Sequence, residues 1–469
     1  MSLRFVTGRS GTGKTTFIER EIAEELKERP MGPPIIVIVP DQLSYSMEYS
    51  LSTKFGLSGM IRAQVLTFKR LAWRVLQEVG GITREEVDSF GYRMLVRSVL
   101  EENKDSFRLF KQAASKHGFA EQISDVMKEF SKYCMDQQAF AELTTLLEDK
   151  QAPRILQDKA HDLQLLLQKI EERLGTTFMD SEGQLTALAE QIPFAEWLKD
   201  ASVYIDGFGD FTTQEYNIIN QFMKFTKRVT VVLPMEDRLH SGEHELFYTA
   251  EQQYSMLQQL AHSDSVDIEK RIHLTEMKRF TNEELQHLEA QFDRYPPVPN
   301  EAEGHIQLIE ATNRRAEVHA VARSIRKMMR EGKRYRGMAV VYRQPDVYDE
   351  LIQTIFSQYD IPVFISQKKP MLHHPLIEFA RSLLEAVRTD WSYEAVFRAV
   401  KTDLFFPVNE NKRVWRERAD RLENFVLAKG IHGSSRWLDE ERWKVSRYRG
   451  LEMIRPVQTD EEMAMQAED

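Results

Sequence analysis

Cysteine is almost absent from this sequence. The 469 residues contain one, Cys134, so within them an intramolecular disulfide and a metal cluster held by several cysteines are both excluded. This composition is typical of a reducing compartment, and we expect a cytoplasmic protein. Cys134 also continues an apolar stripe at helical spacing that begins at Ile123, which favours a buried structural thiol over a reactive one.

Long apolar runs are missing as well. No stretch approaches the ~18 consecutive apolar residues of a membrane-spanning helix. The chain starts directly with a predicted strand and lacks the charged and then apolar pattern of a secretion signal. We therefore expect no membrane partner.

An excess of positive charge is also lacking. There are 63 Lys and Arg residues against 73 Asp and Glu residues, which gives a formal net charge of -10. This balance weakens the case for a nucleic-acid partner but does not exclude one, because a basic channel can lie inside an acidic protein.

What the sequence does contain is a complete phosphate-binding loop near its start. The pattern G-x-x-x-x-G-K-[ST] lies between a predicted strand at residues 3–7 and a predicted helix at residues 15–28. The predicted ATP-binding residues are Gly8, Arg9, Ser10, Gly11, Thr12, Gly13, Lys14 and Thr15. The alternative, a glycine-rich turn without a ligand, is disfavoured by the strand–loop–helix context.

Each residue type in this loop has a chemical task. Glycines let backbone N–H groups surround phosphate oxygens, and the start of the helix adds partial positive charge. Lys14 reaches the β- and γ-phosphates, and the hydroxyl of Thr15 can ligate Mg²⁺. The sequence therefore predicts ATP and Mg²⁺ as ligands.

The pattern of apolar residues organises the first part of the chain. Residues 1–83 and 199–295 are typical of an α/β fold; residues 35–39 are a continuous apolar run, as a buried parallel strand would be, and further strands are predicted at residues 3–7, 62–68, 201–206 and 229–234. Residues 84–198 are helical in pattern and form an insertion between the two α/β segments.

A proline-rich linker at residues 295–299 separates this part from a second α/β segment, residues 300–407. Residues 408–469 are charged and helical in pattern. Strands of the second segment are predicted at residues 305–310, 338–342 and 361–365.

A P-loop ATPase also needs a carboxylate that holds Mg²⁺. This carboxylate stands at the end of a strand that lies beside the P-loop strand. Asp206 follows the apolar residues 203–205 and is the best candidate, although an aspartate there can also be a turn residue. Hydrolysing enzymes usually place a glutamate next, as general base, but here Gly207 follows. Glu215 could replace it only if the backbone folds back. We therefore predict weak or no intrinsic ATPase and name no catalytic residue.

The order of these elements resembles the superfamily 1 helicases. Residues 338–343, Met-Ala-Val-Val-Tyr-Arg, look like their motif IV, whose arginine contacts the γ-phosphate, so the resemblance implies an ATP contact for Arg343. An ordinary surface arginine is the alternative. Further stretches resemble the AddB family, which forms one half of the bacterial AddAB helicase–nucleases; they are residues 8–15, 39–42, 60–65, 70–76, 206–208 and 374–379.

The resemblance covers essentially the whole chain and implies a domain plan. Residues 1–83 with 199–295 would be a first RecA-like domain, and residues 84–198 its helical insertion. Residues 300–407 would be a second, incomplete RecA-like domain, and residues 408–469 the truncated start of another helical insertion.

The resemblance also implies a function. Proteins of that family bind ATP without being the motor, contact single-stranded DNA and help to recognise the recombination hotspot Chi. They pair with an AddA-type helicase–nuclease subunit in double-strand break repair and homologous recombination. Family members continue into a nuclease domain with a cysteine-ligated 4Fe-4S cluster. One cysteine cannot supply its four ligands, so neither the cluster nor nuclease activity is expected of these residues. The late helicase motifs are also missing.

The DNA-contacting residues are predicted from aromatic and cationic side chains that alternate around residues 67–74, as a single-strand groove requires. The alternative is an amphipathic helix with its aromatic residues in the core. The candidate DNA contacts are Gln42, Ser44, Phe68, Arg70, Trp73 and Phe211.

Two other functions stay open on the sequence alone. One is an active superfamily 1 translocase that hydrolyses ATP without help, which Gly207 disfavours. The other is a structural scaffold with a vestigial P-loop.

Overall fold

The computed structural model describes residues 1–57, 59–80, 84–116, 118–175, 178–237, 245–301, 304–365 and 371–438. The chain divides into two compact units, Met1–Leu308 and Ile309–Asp469. The domain ranges predicted above stay a prediction, and the second half of the range 408–469 lies outside the described residues.

The first unit is built on a parallel sheet of seven strands in the order β3-β2-β6-β7-β1-β8, with β9 also pairing with β1. The strands are β1 (Ser2–Gly8), β2 (Ile35–Ile38), β3 (Ala63–Leu66), β6 (Ser202–Ile205), β7 (Arg228–Pro234), β8 (Asp267–Ile268) and β9 (Ile272–His273), and a separate parallel pair joins β4 (Glu85–Glu86) to β5 (Phe178–Met179). In register, Ser2 of β1 lies opposite Arg228 of β7, and Gly8 lies opposite Pro234.

Helices cover both faces of this sheet. The helices of the first unit are α1 (Lys14–Glu28), α2 (Asp41–Lys54), α3 (Phe68–Val79), α4 (Ser89–Glu102), α5 (Phe119–Lys132), α6 (Gln137–Asp149), α7 (Arg154–Leu174), α8 (Ser181–Gln191), α9 (Thr213–Phe225), α10 (Tyr248–Ser263) and α11 (Glu283–Gln291). Among the described residues, no helix is both long and apolar enough to cross a bilayer.

Alternate residues of each strand serve two different cores, because successive side chains of a strand point to opposite faces. Val6 packs with α1 and α2 on one face. Phe5 packs with α3, α8, α9 and α10 on the other. The predicted α/β class is therefore confirmed.

The region between α3 and β6 is mostly helical, and α4 to α7 have a core of their own. Its buried Asp162 accepts hydrogen bonds from the backbone N–H groups of Arg108, Leu109 and Phe110. Helix α8 lies inside the predicted insertion, yet its Leu188 packs in the core of the sheet.

Cys134 is exposed, so the prediction of a buried thiol is wrong. Helix α5 ends at Lys132, and Cys134 has a φ of 54°. The apolar stripe therefore does not continue to this residue, because the backbone has left the helix before it.

The second unit is helical where it is described. Its helices are α12 (Arg314–Arg330), α13 (Pro345–Gln358), α14 (Pro375–Arg388), α15 (Tyr393–Val400), α16 (Lys412–Lys429) and α17 (Ser434–Trp437). Helices α12 and α13 share one apolar core, and α15 and α16 share another.

The strands predicted at residues 305–310, 338–342 and 361–365 are not formed in the described residues. A strand requires a neighbour for its backbone N–H and C=O groups, and none of these segments pairs with another described segment. Val341 and Phe364 are accordingly 94% and 90% exposed. A second RecA-like sheet is therefore absent from the described part of this unit.

A charged network fixes α1 to the sheet below the P-loop. Glu21 of α1 accepts hydrogen bonds from Arg4 at 2.8 Å, Tyr204 at 2.7 Å and Arg228 at 2.9 Å. Burial alone would raise the pKa of Glu21, but the hydrogen bonds from Arg4 and Tyr204 outweigh it and hold this pKa below the usual value. The network thus joins β1, β6 and β7 to the helix that begins with Lys14.

Replacing this carboxylate should destabilise the first unit. We expect Glu21→Gln to lower the free energy of unfolding at pH 7 by about 2 kcal/mol, because Arg4 and Arg228 lose their shared counter-charge. The exposed Glu24→Gln on the same helix is the control, and urea unfolding is the measurement.

The effect should depend on pH with a definite sign. A lowered pKa in the folded state stabilises the fold above the unfolded-state pKa, and this stabilisation is lost as the pH falls through the folded value. The difference between wild type and Glu21→Gln should therefore be full above the ordinary value of 4.5 and shrink below it. A difference that grows on acidification would contradict this account.

Candidate nucleotide-binding site

The P-loop connects β1 to α1 at the carboxyl end of the sheet. Gly8, Gly11 and Gly13 all have φ between 87° and 153°, and Gly13 caps the start of α1. Positive φ is readily available only to glycine, so the sequence places its glycines where the loop turns.

A later segment, residues 274–280, crosses directly over this loop. The backbone N–H groups of Lys278 and Arg279 donate to the carbonyl of Gly11 at 2.9 and 3.0 Å. A Cβ added to Gly11 would lie 2.9 Å from the sulfur of Met277. Gly11 is therefore required by close packing as well as by its φ. Sequence reasoning did not find this contact.

Lys14 lies within the loop. Its ammonium group donates to the carbonyls of Gly8 and Arg9 at 2.7 and 2.9 Å. Burial lowers the pKa of Lys14; the Asp206 carboxylate opposes this shift, and the positive charge of Arg279 adds to it. The loop thus holds a desolvated cation, which an anionic phosphate would stabilise.

The carboxylate of Asp206 meets the P-loop. The hydroxyl of Thr15 donates to Asp206 Oδ2 at 2.7 Å. Burial raises the pKa of Asp206, against hydrogen bonds from Thr15 and from the N–H of Gly207. Asp206 follows β6, and β7 lies between β6 and the P-loop strand β1. The prediction that Asp206 ends a strand directly beside the P-loop strand is therefore wrong by one strand. Its side chain still reaches Thr15.

A hydroxyl and a carboxylate are hard oxygen ligands that suit Mg²⁺. Together Thr15 and Asp206 fit a metal ion that is completed by nucleotide phosphates and water. No group of three or more His, Cys, Asp or Glu residues with metal-site geometry occurs among the described residues, so the described side chains hold no preformed protein-only site.

The position of the missing general base is held by a glycine with little room beside it. Gly207 has a φ of 85°, and a Cβ added there would overlap Cδ1 of Leu43, the end of a side chain that is 41% exposed. Glu215 does not replace it, because it caps α9 through the backbone N–H of Thr212 at 2.8 Å. Burial raises the pKa of Glu215. Neither residue offers a carboxylate to an attacking water.

Arg9 is an anchor of the loop. Its guanidinium donates to Glu236, which follows β7, and to Glu289 of α11 at 2.8 Å. It also lies 5.1 Å from the centre of the Phe247 ring. The side chain of Arg9 is therefore committed to protein contacts, and only its backbone remains for a phosphate.

Arg279 is the functional candidate that sequence reasoning missed. Its guanidinium is exposed and lies 3.5 Å from the hydroxyl of Ser10 in the loop. The only signal in the sequence is the adjacent pair Lys278-Arg279. This pair does not indicate a contact with a loop more than 260 residues earlier in the chain. Arg343 belongs to the second unit, and its predicted contact with ATP stays a prediction.

The predicted DNA contacts separate into two groups. Gln42, Arg70 and Trp73 are exposed, and Trp73 is 56% exposed. Phe68, Phe211 and Ser44 are instead buried, at 4%, 5% and 9% exposure.

Packing explains why three of these candidates are withdrawn. Phe68 and Phe211 each pack on the ring of Phe208 in the core of the sheet. The hydroxyl of Ser44 donates to the carbonyl of Asp41 in the first turn of α2. In this structure none of the three presents a free group to a base, because each is used by the fold itself.

Fold and loop together define a class: the chain is a P-loop α/β protein in which a strand-end aspartate contacts the residue after the loop lysine. The sequence profile described as "ADDB, N-terminal" matches residues 5–289. The chain therefore belongs to the AddB family, as its motifs predicted.

Several relatives are named as the B subunit of an ATP-dependent helicase/deoxyribonuclease. The chain is 53% identical to the protein of Lysinibacillus sphaericus over 100% of its own length. It is 46% identical to that of Geobacillus kaustophilus over 98%, and 42% identical to that of Bacillus subtilis over 99%. It spans 40% of the length of each of these relatives.

The packing of Leu43 on Gly207 can be tested directly. We expect Gly207→Ala to lower the free energy of unfolding by about 1–2 kcal/mol, because a non-glycine residue is strained at this φ and its Cβ overlaps Leu43. Gly209→Ala is the matched control, since an added Cβ there meets nothing within 4 Å. Equal stabilities of the two variants in urea unfolding would show that the packing is looser than described.

Proposed function

We propose that this chain is the ATP-binding, single-strand-contacting part of the AddB component of a helicase–exonuclease. It acts in double-strand break repair and homologous recombination with an AddA-type motor subunit, and it helps to recognise Chi. The names of its relatives support the complex and its ATP dependence. Single-stranded DNA, Chi and the AddA-type partner are proposed on the family resemblance.

The observation that carries nucleotide binding is the contact between Thr15 and Asp206. It brings a hydroxyl and a carboxylate together beside the P-loop, where Mg²⁺ on a bound triphosphate would lie. Bound Mg²⁺ would screen the charge of the phosphates. The backbone of residues 8–13 and the ammonium group of Lys14 would hold the triphosphate itself.

The assignment as a component that is not the motor rests on the missing base. Gly207 offers no carboxylate, and Glu215 is bound to Thr212. Two further carboxylates near the loop, Glu236 and Glu289, are paired with Arg9. Activation of an attacking water needs a free base within hydrogen-bond reach, and we propose that a bound ATP stays intact.

The iron–sulfur cluster of the family does not fit these residues. A 4Fe-4S cluster needs four thiolate ligands, and the chain contains one cysteine. Nuclease activity is therefore not proposed for these residues.

Nucleotide binding should depend on Lys14. We expect Lys14→Ala to weaken the binding of a fluorescent ATP analogue by at least about tenfold, because a charge-assisted contact to the phosphates is lost. Lys27→Ala, an exposed lysine in the last turn of the same helix, is the control. Unchanged binding by Lys14→Ala would support a scaffold with a vestigial loop.

Arg279 should distinguish a triphosphate from a diphosphate. A guanidinium beside Ser10 at the loop would pair with the outermost phosphate, so we expect Arg279→Ala to weaken ATP binding by about tenfold and ADP binding little. Calorimetric titration with both nucleotides measures this. An equal loss for both would place Arg279 at the inner phosphates instead.

An active superfamily 1 translocase is the alternative function. The intact Lys14, Thr15 and Asp206 favour it. ATP turnover that DNA stimulates in the isolated chain would establish it and would overturn the proposal that the partner is the motor.

A further inference from the structure

A groove runs along the outer edge of the sheet in the first unit. Strand β3 is the last strand on this side, and helices α2 and α3 flank it. The groove has a volume of about 620 Å³. It is lined by Tyr45, Glu48, Tyr49 and Ser52 of α2, by Met60, by residues 63–66 of β3 and by Arg70 of α3.

Two tyrosine rings form one wall of this groove. Tyr45 and Tyr49 are 73% and 57% exposed, and their ring centres lie 6.0 Å apart at an angle of 24°. They are one helical turn apart and therefore project from the same face of α2. A pair of stacked rings that face solvent is an unusual use of aromatic surface on a folded protein and indicates a binding site.

The opposite wall carries a positive charge. Arg70 lies in the first turn of α3 and is exposed. No side-chain hydrogen bond or ion pair of Arg70 is found within the described part of the chain. Ring faces and a free guanidinium are the two groups that a single-stranded nucleic acid requires.

The edge strand itself offers a different partner, an extended peptide that would pair with β3. Arg62 and Leu66 accept hydrogen bonds from β2 through their carbonyls, so by alternation the backbone groups of Ala63 and Val65 face outward. These two residues are only 4% and 5% exposed. Their backbone therefore lies at the floor of the groove, whereas the exposed side chains of its walls are the two tyrosine rings, the Glu48 carboxylate and the Arg70 guanidinium. This difference favours a nucleic acid.

We propose that Tyr45 and Tyr49 stack the bases of a single DNA strand whose phosphates contact Arg70. The inference rests on the proposed function, since it names the residues through which the chain contacts single-stranded DNA. It gives to the two tyrosines the stacking role that the sequence suggested for the buried Phe68 and Phe211. Stacking on flat rings is tolerant of base sequence, so this groove holds the strand without reading it.

Fluorescence anisotropy with the full chain tests the inference. The probes are a labelled thymidine strand of about 20 nucleotides and an abasic strand of the same length, which has the phosphates but no bases. We expect the double variant Tyr45→Ala/Tyr49→Ala to bind the thymidine strand at least about tenfold more weakly, because base stacking is lost. Its binding to the abasic strand should not change.

Two controls accompany this variant. Tyr45→Phe/Tyr49→Phe keeps both rings and should bind the thymidine strand as wild type does. Tyr133→Ala removes a tyrosine of similar exposure, 54%, from the helical region between α3 and β6 and should have no effect. Matching urea midpoints of all variants exclude an effect through folding.

The outcomes separate this inference from the proposed function. If Arg70→Ala weakens binding to the thymidine strand but the double tyrosine variant does not, the inference fails and the proposed function stands. An equal loss on both strands would show that stacking is not the cause. A double variant that binds DNA normally but no longer binds the AddA-type partner would assign the groove to a peptide. A wild-type chain that binds neither strand would overturn the proposed function as well.

Discussion

The hydrogen bond from Thr15 to Asp206 connects the two parts of the nucleotide site. Thr15 lies in the first turn of α1, and Asp206 follows β6, with β7 between β6 and β1 in the sheet. The bond can form only if α1 is held at a fixed height over the sheet. The pairing of Glu21 with Arg4, Tyr204 and Arg228 below it supplies this constraint.

The nucleotide site has a well-formed P-loop but no carboxylate at the position where hydrolysing enzymes carry the general base. Residues 274–280 pack over the loop, and Leu43 occupies the space beside Gly207. Leu43 belongs to α2, the helix that also carries Gln42, Tyr45 and Tyr49. Helix α2 thus contributes to both sites: Leu43 lies beside Gly207, and Tyr45 and Tyr49 line the groove proposed for a DNA strand.

The sequence predicted correctly those strands and site residues that can be recognised from a short stretch of the chain. A continuous apolar run identified β2, short segments rich in apolar residues identified β1, β6 and β7, and the P-loop pattern placed Lys14 and Thr15. It could not predict the contact of Arg279, which depends on packing between distant segments. Phe68 and Trp73 lie on the same helix and have similar neighbours in the sequence. Only the tertiary packing determines that Phe68 is buried and Trp73 is exposed. The prediction of strands at residues 305–310, 338–342 and 361–365 was wrong. An apolar segment forms a strand only when a neighbouring strand pairs with its backbone.

The fate of bound ATP tests the central claim most directly. The chain, in slight excess over radiolabelled ATP, is incubated with Mg²⁺ and single-stranded DNA, and the bound nucleotide is recovered and separated by chromatography. Because neither Gly207 nor Glu215 offers a free base and the Glu236 and Glu289 carboxylates pair with Arg9, the account predicts that intact ATP is recovered after many minutes. Recovery of ADP at a rate that Lys14→Ala abolishes would contradict it and would identify the chain as a motor in its own right.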